Sequence, residues 1–180
     1  VPCFLYEEAA ARPDRKNLAT VRKGEFEGLR EELGKNPDRK PDFGPNKIHP
    51  TAGATAVGAR FFLIAFNVNL STDNVEIAKK IAKGVRFSSG GYRYVKAMGF
   101  EIKEKGIVQV SMNLVNYRKT PLFRVFETIK REANRYGTQV TGSEIIGLVP
   151  LEALIDVSDF YLQLQGFNHD QVLEKILLEG

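Results

Sequence analysis

Three asparagines lie in stretches whose apolar residues predict β-strands, where an amide side chain is unusual. Asn67 and Asn69 end the run RFFLIAFNVNL, and Asn113 lies within VSMNL. Asparagine is depleted in strands, and a partly buried amide needs a hydrogen-bond partner. Asn67 and Asn69 are two positions apart and therefore share one face of a strand. These amides could bind the polar groups of a ligand or could fix a neighbouring loop, and the residues alone favour neither interpretation.

A proline- and glycine-rich stretch, PDFGPNKIHPTAGATAVGAR at residues 41–60, precedes the first of these strands. Its prolines exclude a helix or a central strand, and its glycines permit positive φ or a close approach of the backbone to a ligand. A long irregular segment inside a compact domain is usually functional or disordered. Phe43, Ile48 and Val57 indicate that the segment is ordered, so we predict a binding loop.

Cationic and imidazole side chains in this loop are candidates for contacts with an anionic ligand. Arg60 is the strongest anion-binding candidate and Lys47 supplies a second cation, although an arginine exposed at an edge is the alternative interpretation of Arg60. His49 is equally well interpreted as a ligand contact or as a solvated loop residue. His169 follows a predicted helix cap and is interpreted as a surface residue.

Common catalytic and metal-binding signatures do not fit this chain. GATAVG at residues 53–58 has the glycine spacing of a phosphate-binding loop, but Ala59 and Arg60 stand where Lys and Ser/Thr are required. The two histidines and the single cysteine, Cys3, have no metal-ligand spacing, so no metal is predicted. No serine or cysteine nucleophile motif is present.

The composition is that of a globular protein with a substantial core. The 180 residues are 43% hydrophobic and 27% charged, with a net charge of +4. That charge is compatible with an anionic ligand, but the basic residues are dispersed and not interleaved with aromatic residues, which disfavours nucleic acid. One cysteine is typical of a reducing compartment, and no apolar run is long enough to span a membrane. We therefore predict a cytoplasmic protein without a membrane partner.

From residue 60 the hydrophobic patterns predict the element order β-α-β-β-α-β followed by two further helices. This order predicts an α+β fold, the ferredoxin-like plait, in which both helices cover one face of a mainly antiparallel sheet. The predicted strands are 60–70, 94–103, 107–117 and 138–146, and the predicted helices are 73–85, 120–136, 150–164 and 168–178.

The first 59 residues predict only the remnant of another α/β unit. Residues 1–6 form an apolar run typical of a buried strand, and residues 14–33 have a helical spacing that is interrupted at Gly24. A buried strand needs neighbours on both sides, and the residues that follow show no second strand pattern. Its partner strands are therefore expected upstream of Val1.

Several blocks resemble the glutamate formiminotransferase (formimidoyltransferase) family: GEFEGL, PDFGP, GATAVGARFFLIAFNVNL, VQVSMNL and GSEIIGLVPLEAL. The similarity runs in the same order from Val1 to about Tyr161. It implies two α/β subdomains with folate in a cleft between them, and transfer of the formimino group from N-formimino-L-glutamate to tetrahydrofolate in histidine degradation. Tetrahydrofolate would be a co-substrate, without a metal, and the enzyme is expected to be a homo-oligomer. Residues 1–59 would be the tail of the N-terminal subdomain, and residues 60–180 the whole C-terminal subdomain.

The resemblance also implies which residues bind the substrates. Folate would bind one ten-residue segment: Gly44, Pro45, Asn46, Lys47, Ile48, His49, Pro50, Thr51, Ala52 and Gly53. Possible contacts with the amino-acid substrate are Asp42, Arg60, Asn67, Asn69 and Asn113. Ala52 stands where family members often have tryptophan, which removes a stacking surface for the pterin.

The family's proton-transferring histidine lies in a His-Pro-Arg-type motif that this sequence does not contain, and it is expected upstream of Val1. The resemblance therefore implies no catalytic residue in these 180 residues and little activity without the missing N-terminal portion. Two other hypotheses remain: a freestanding folate- or anion-binding module without catalysis, and an RNA-binding plait. The last would need exposed aromatic residues on its sheet face.

Overall fold

The computed structural model describes residues 1–179, with side chains up to residue 177. These residues form two compact units that divide between Arg60 and Phe61. Within the described range there are six α-helices, a two-stranded parallel sheet and a four-stranded antiparallel sheet, which together make an α+β architecture. No helix in this range is long and apolar enough to cross a lipid bilayer.

The first unit is built on a parallel pair of strands, β1 (Cys3–Glu7) and β2 (Thr55–Ala59). The prediction that β1 finds its partners only upstream of Val1 is therefore wrong for one of its edges. β2 lies inside the stretch that we interpreted as loop, and its sequence, TAVGA, is too short and too rich in alanine and glycine to predict a strand. Gly58 pairs with Tyr6, and a Cβ at Gly58 would lie 2.3 Å from the tyrosine ring. Only glycine fits this pairing without a shift of the ring.

Two short helices follow β1, α1 (Leu18–Val21) and α2 (Glu25–Glu32). They occupy part of the helical pattern of residues 14–33, and the interruption predicted at Gly24 is confirmed. Gly24 has a φ of +80° and is the N-cap of α2, a left-handed conformation that glycine adopts without steric cost.

The second unit contains a four-stranded sheet of β3 (Ile64–Leu70), β4 (Val95–Ile102), β5 (Ile107–Leu114) and β6 (Val140–Ile146). The strand order is β4-β5-β3-β6, and every neighbouring pair is antiparallel. The predicted four-stranded antiparallel sheet is thus confirmed, with β3 at a central position. β3 begins four residues later than predicted, because residues 60–63 lie outside any strand.

Two helices, α3 (Val75–Val85) and α4 (Leu122–Arg135), bury their apolar stripes against one face of this sheet. Side chains of β3 alternate strictly, so that every second residue joins this core: Ile64, Phe66, Val68 and Leu70. Gly99 on β4 allows α3 to approach closely, since a Cβ there would lie 2.4 Å from the backbone nitrogen of Lys79. The opposite face of the sheet is the one on which the polar side chains of β3 and β5 lie.

Two further helices, α5 (Leu151–Leu162) and α6 (Leu173–Glu179), complete the described chain. The capping box predicted at Asn168 and Gln171 is confirmed, but it opens a short 3-10 turn at His169–Gln171 instead of α6 itself. Helix α6 begins at Leu173, five residues after the predicted cap.

Candidate ligand-binding site

The face of the four-stranded sheet opposite the helices carries a band of polar side chains, which we call the amide face. Because residues on this face alternate with core residues, the register identifies them directly. Its polar members are Lys96 on β4, Asn67 and Asn69 on β3, Gln109, Ser111 and Asn113 on β5, and Glu144 on β6. The shared face predicted for Asn67 and Asn69 is observed, and Asn113 lies on it as well.

A hydrogen-bond network joins three strands across the amide face. The side-chain amide of Asn67 donates to Glu144 Oε1 at 3.0 Å, and Gln109 Nε2 donates to the same oxygen at 3.0 Å. Gln109 Nε2 also donates to Asn69 Oδ1 at 2.9 Å. Two of the predicted asparagines are thus tied to a carboxylate and a glutamine that we had not selected. The amides therefore orient Glu144, and none of them fixes a loop.

Glu144 is held in its ionised form by this network. Hydrogen bonds from Asn67 and then from Gln109 lower the pKa of the Glu144 carboxyl below its usual value, and the positive charge of Lys105 adds to the effect. Its second oxygen, Oε2, accepts no hydrogen bond from the residues that the structure describes. An oriented anionic acceptor is therefore exposed on the amide face.

A cationic region, complementary in charge to the Glu144 carboxylate, lies on the same face. Asn113 pairs with Lys96 of β4 and with Ala65 of β3, so the ammonium and the amide are cross-strand neighbours. Both side chains are exposed, and within the described chain neither has a hydrogen-bond or ion-pair partner. Together they offer N–H donors to a ligand carboxylate.

The loop of the first unit is anchored at its base by Asp42. The Asp42 carboxylate accepts a hydrogen bond from the backbone N–H of Leu5 at 2.7 Å and an ion-paired one from Arg15 at 2.5 Å. The guanidinium of Arg15 also donates to the backbone carbonyls of Asp38 and Lys40, at 3.2 and 2.5 Å. Asp42 was predicted as a possible substrate contact, but the structure gives its carboxylate partners that tie the loop to β1.

A tight turn at residues 49–53 forms the tip of the loop. His49 and Gly53 exchange two backbone hydrogen bonds, at 3.0 and 3.1 Å. The His49 Nδ1 faces the backbone N–H groups of Thr51 and Ala52, at 3.3 and 3.1 Å. Because backbone N–H groups only donate, Nδ1 is the acceptor and the neutral ring carries its proton on Nε2. His49 is thus a structural part of this turn.

The remaining loop residues present a mostly exposed surface rich in backbone groups. Gly44 has a φ of +84°, and a Cβ there would lie 2.4 Å from the carbonyl oxygen of Val1. Gly53 has a φ of +64° and packs against the ring of Phe26. The exposed residues between these glycines are Pro45, Asn46, Lys47, Pro50, Thr51 and Ala52, and Ile48 is half-buried. The predicted folate-binding segment from Gly44 to Gly53 is therefore mostly exposed.

The predicted residues fall into two groups, one in each unit. The loop residues and Asp42 belong to the first unit, together with Arg60, which is exposed and has no partner among the described residues. The three asparagines belong to the amide face of the second unit. Gln109 and Glu144 were not among the predicted site residues, although the polar run TGSE in a strand pattern was a signal for the second of them.

An apolar groove of about 410 Å³ lies between α4, α5 and β6. The rings of Phe123 and Phe160 stack beside the groove with their centroids 4.2 Å apart. The hydroxyl of Tyr161 donates a hydrogen bond to Glu127 Oε1 at 2.8 Å. Burial and this hydrogen bond raise the pKa of Tyr161 to about 12. The groove offers few polar groups to a ligand and is a weaker candidate than the amide face. Among the described residues there is no group of three or more potential metal ligands.

Comparison with known proteins links both units to one family. Residues 1–60 match the formiminotransferase domain, N-terminal subdomain, and residues 65–177 match the formiminotransferase domain. The chain is 60% identical to a glutamate formimidoyltransferase of Streptococcus pyogenes serotype M1 over 99% of its length, and 52% identical to one of Thermoplasma acidophilum over 97%. It is 46% identical over 97% of its length to a formimidoyltransferase-cyclodeaminase of Dictyostelium discoideum. The chain spans 60%, 58% and 33% of the lengths of these three relatives.

Proposed function

Because the chain belongs to the formiminotransferase domain family, we propose that it forms the substrate-binding part of a glutamate formimidoyltransferase. The reaction would transfer the formimino group from N-formimino-L-glutamate to tetrahydrofolate, a step of histidine degradation and one-carbon metabolism. The observation that carries this proposal is 60% identity to a glutamate formimidoyltransferase across nearly the whole chain. A nitrogen of the folate attacks the formimino carbon, and L-glutamate leaves. Such a step needs a positioned acid or base and donors for the substrate carboxylates.

We assign the second unit to the ferredoxin-like plait. Its elements follow the order β-α-β-β-α-β, and its strands, numbered within the unit, lie in the order 4-1-3-2. Both crossing helices contribute to the single core on one side of the sheet. This arrangement leaves the other side of the sheet, the amide face, available for binding.

We assign tetrahydrofolate to the loop from Gly44 to Gly53. The support is its rigid, exposed backbone, which the turn at His49 and the anchor at Asp42 hold in place. Lys47 is exposed and has no partner in the described part of the chain, so its ammonium is available for a carboxylate of folate. Ala52 offers no aromatic ring for stacking on the pterin, and the pterin is therefore bound through backbone groups.

We assign the amino-acid substrate to the amide face. Lys96 and Asn113 supply donors for one end of the substrate, and Glu144 supplies an acceptor for the other. Acid–base catalysis is not assigned to either histidine, because the resemblance places the proton-transferring histidine in a His-Pro-Arg-type motif that these 180 residues do not contain. We place the reaction in the cytoplasm, which the single cysteine favours, and expect a homo-oligomer.

A folate-binding module without catalysis is the second candidate, favoured by the engagement of both histidines. An RNA-binding plait has less support, because the two central strands carry amides on the open face. Among the described strands, the aromatic residue on that face is Phe100, which lies on the edge strand β4.

Titration of the purified chain with a stable reduced folate, 5-formyltetrahydrofolate, tests the proposal. We expect saturable binding by isothermal calorimetry and no binding of a single-stranded RNA of matched charge. RNA binding without folate binding would overturn the proposal. A coupled assay for formimino transfer, run on the same preparation, separates an enzyme from a binding module.

A further inference from the structure

We propose that Glu144 binds the cationic formamidinium group of N-formimino-L-glutamate and selects this donor over its neutral N-formyl analogue. This inference rests on the function proposed above and adds a residue that recognises the transferred group itself.

The geometry of the Glu144 carboxylate carries the inference. Asn67 and Gln109 both donate to Oε1, at 3.0 Å each, while no described residue donates to Oε2. Two amides from two different strands therefore fix the direction of the carboxylate and leave one oxygen for a ligand. A protonated amidine presents N–H donors, and a charge-assisted hydrogen bond from one of them to Oε2 is stronger than a neutral one.

The electrostatics of the face agree with a cationic ligand group at this point. The carboxyl is exposed and ionised, and it takes part in no ion pair among the described residues. Lys105 is close enough to lower its pKa, yet no contact joins the two side chains. The negative charge of Glu144 is therefore available for a ligand cation.

The position of Glu144 relative to the donors on β5 suits the rest of the substrate. Neighbouring strands lie about 4.8 Å apart, and residues two positions apart on a strand are about 7 Å apart. Glu144 is in register with Ser111 through Asn67, and Asn113 is two residues further along β5, so the Cα atoms of Glu144 and Asn113 are separated by roughly 12 Å. Asn113 on β5, with Lys96 beside it, can then hold a carboxylate of an amino acid whose formamidinium group contacts Glu144. A glutamate derivative thus spans the face from an anionic acceptor to cationic and amide donors.

The test compares two ligands that differ mainly in one charge. N-formimino-L-glutamate and N-formyl-L-glutamate are titrated into the 180-residue chain, the wild type and Glu144→Gln, by isothermal calorimetry. Glutamine keeps the oxygen that accepts from Asn67 and Gln109 but removes the charge. We expect the wild type to prefer the formimino compound about tenfold, the difference expected between a charged and a neutral hydrogen bond. Glu144→Gln should bind the two compounds with about equal affinity, and its affinity for the formyl compound should be that of the wild type.

Glu101→Gln is the matched control, since Glu101 is an exposed carboxylate on β4 with the opposite side-chain direction. It should retain the full preference, and circular dichroism should show unchanged thermal unfolding for both variants. A full preference retained in Glu144→Gln would overturn the assignment, as would equal binding of both compounds by the wild type, and in either case the proposed substrate would stand. If the wild type binds neither compound, the proposed function fails on this face and the inference fails with it.

Discussion

The guanidinium of Arg15 lies 2.5 Å from the carboxylate of Asp42, and the two side chains are only 4% and 7% exposed. This buried ion pair connects the start of the proline- and glycine-rich loop to the residues that follow β1. Its remaining hydrogen bonds go to backbone groups, including the N–H of Leu5 in β1. The loop is therefore positioned by a buried, hydrogen-bonded charge pair and not by apolar packing alone.

Breaking this pair should destabilise the first unit strongly. Asp42→Ala leaves a buried guanidinium without its counter-charge, which typically costs about 3–5 kcal/mol. Urea unfolding followed by circular dichroism measures the loss. The control is Arg22→Ala, which removes an exposed pair with Glu25 and should cost less than about 1 kcal/mol. Equal midpoints for the two variants would show that the Arg15–Asp42 pair does not hold the loop.

The folate assignment makes a prediction about Lys47. Lys47→Met removes the cation and keeps most of the side chain, so the affinity for 5-formyltetrahydrofolate should fall about tenfold with unchanged thermal unfolding. Lys35→Met, at an exposed lysine of the same unit outside the loop, is the control and should bind as the wild type does. A wild-type affinity in Lys47→Met would remove this side chain from the proposed site.

Much of the second unit was predictable because its patterns are strong. The alternation in β3 and the apolar stripes of α3 and α4 identify a half-covered sheet, and that sheet places Asn67, Asn69 and Asn113 on one face. The partners of these amides were not predictable. Glu144 faces Asn67 only in one register of β6, and this register shifts between Asn69 and Leu70. A shift of one residue would turn Glu144 to the other face.

The first unit was less predictable, for a different physical reason. β2 has no recognisable alternation of polar and apolar residues. Its position follows from its pairing with β1, in which the ring of Tyr6 packs over Gly58. The irregular course of the loop ahead of β2 was recognised from its prolines and glycines. The role of Asp42 was not, since nothing in the sequence shows that Arg15, 27 positions away, is buried beside it.

The network around Glu144 predicts a measurable change in ionisation. Asn67→Ala removes the first of the hydrogen bonds that lower the pKa of the Glu144 carboxyl, so this pKa should rise towards its usual value. Carboxyl chemical shifts followed by NMR through an acid titration report it directly. Asn113→Ala is the control, because Asn113 lies on the same face without a hydrogen bond to Glu144. A Glu144 pKa that is equal in both variants would contradict the network.

Tyr161 should make stability fall at alkaline pH. Its pKa is raised to about 12 from an ordinary value of about 10, because partial desolvation of the half-exposed phenol and the hydrogen bond to Glu127 favour the neutral form. A pKa that is higher in the folded state gives a contribution that is complete below pH 10 and lost as the pH rises towards 12. Urea midpoints between these pH values should fall less in Tyr161→Phe than in the wild type. Parallel curves for the two proteins would assign the alkaline loss to other groups.

Formimino transfer by the 180-residue chain is the last expectation. General acid–base catalysis is worth about 10²–10⁴-fold, and the His-Pro-Arg-type motif that would supply it is absent from these 180 residues. His49 Nδ1 accepts from two backbone amides, and His169 Nε2 lies 3.2 Å from Asp156. We therefore expect the purified chain to bind a reduced folate and to show no transfer above background in a coupled assay. Robust turnover would contradict this expectation, and the comparison of His49→Gln with His169→Gln would then identify the group that carries the proton.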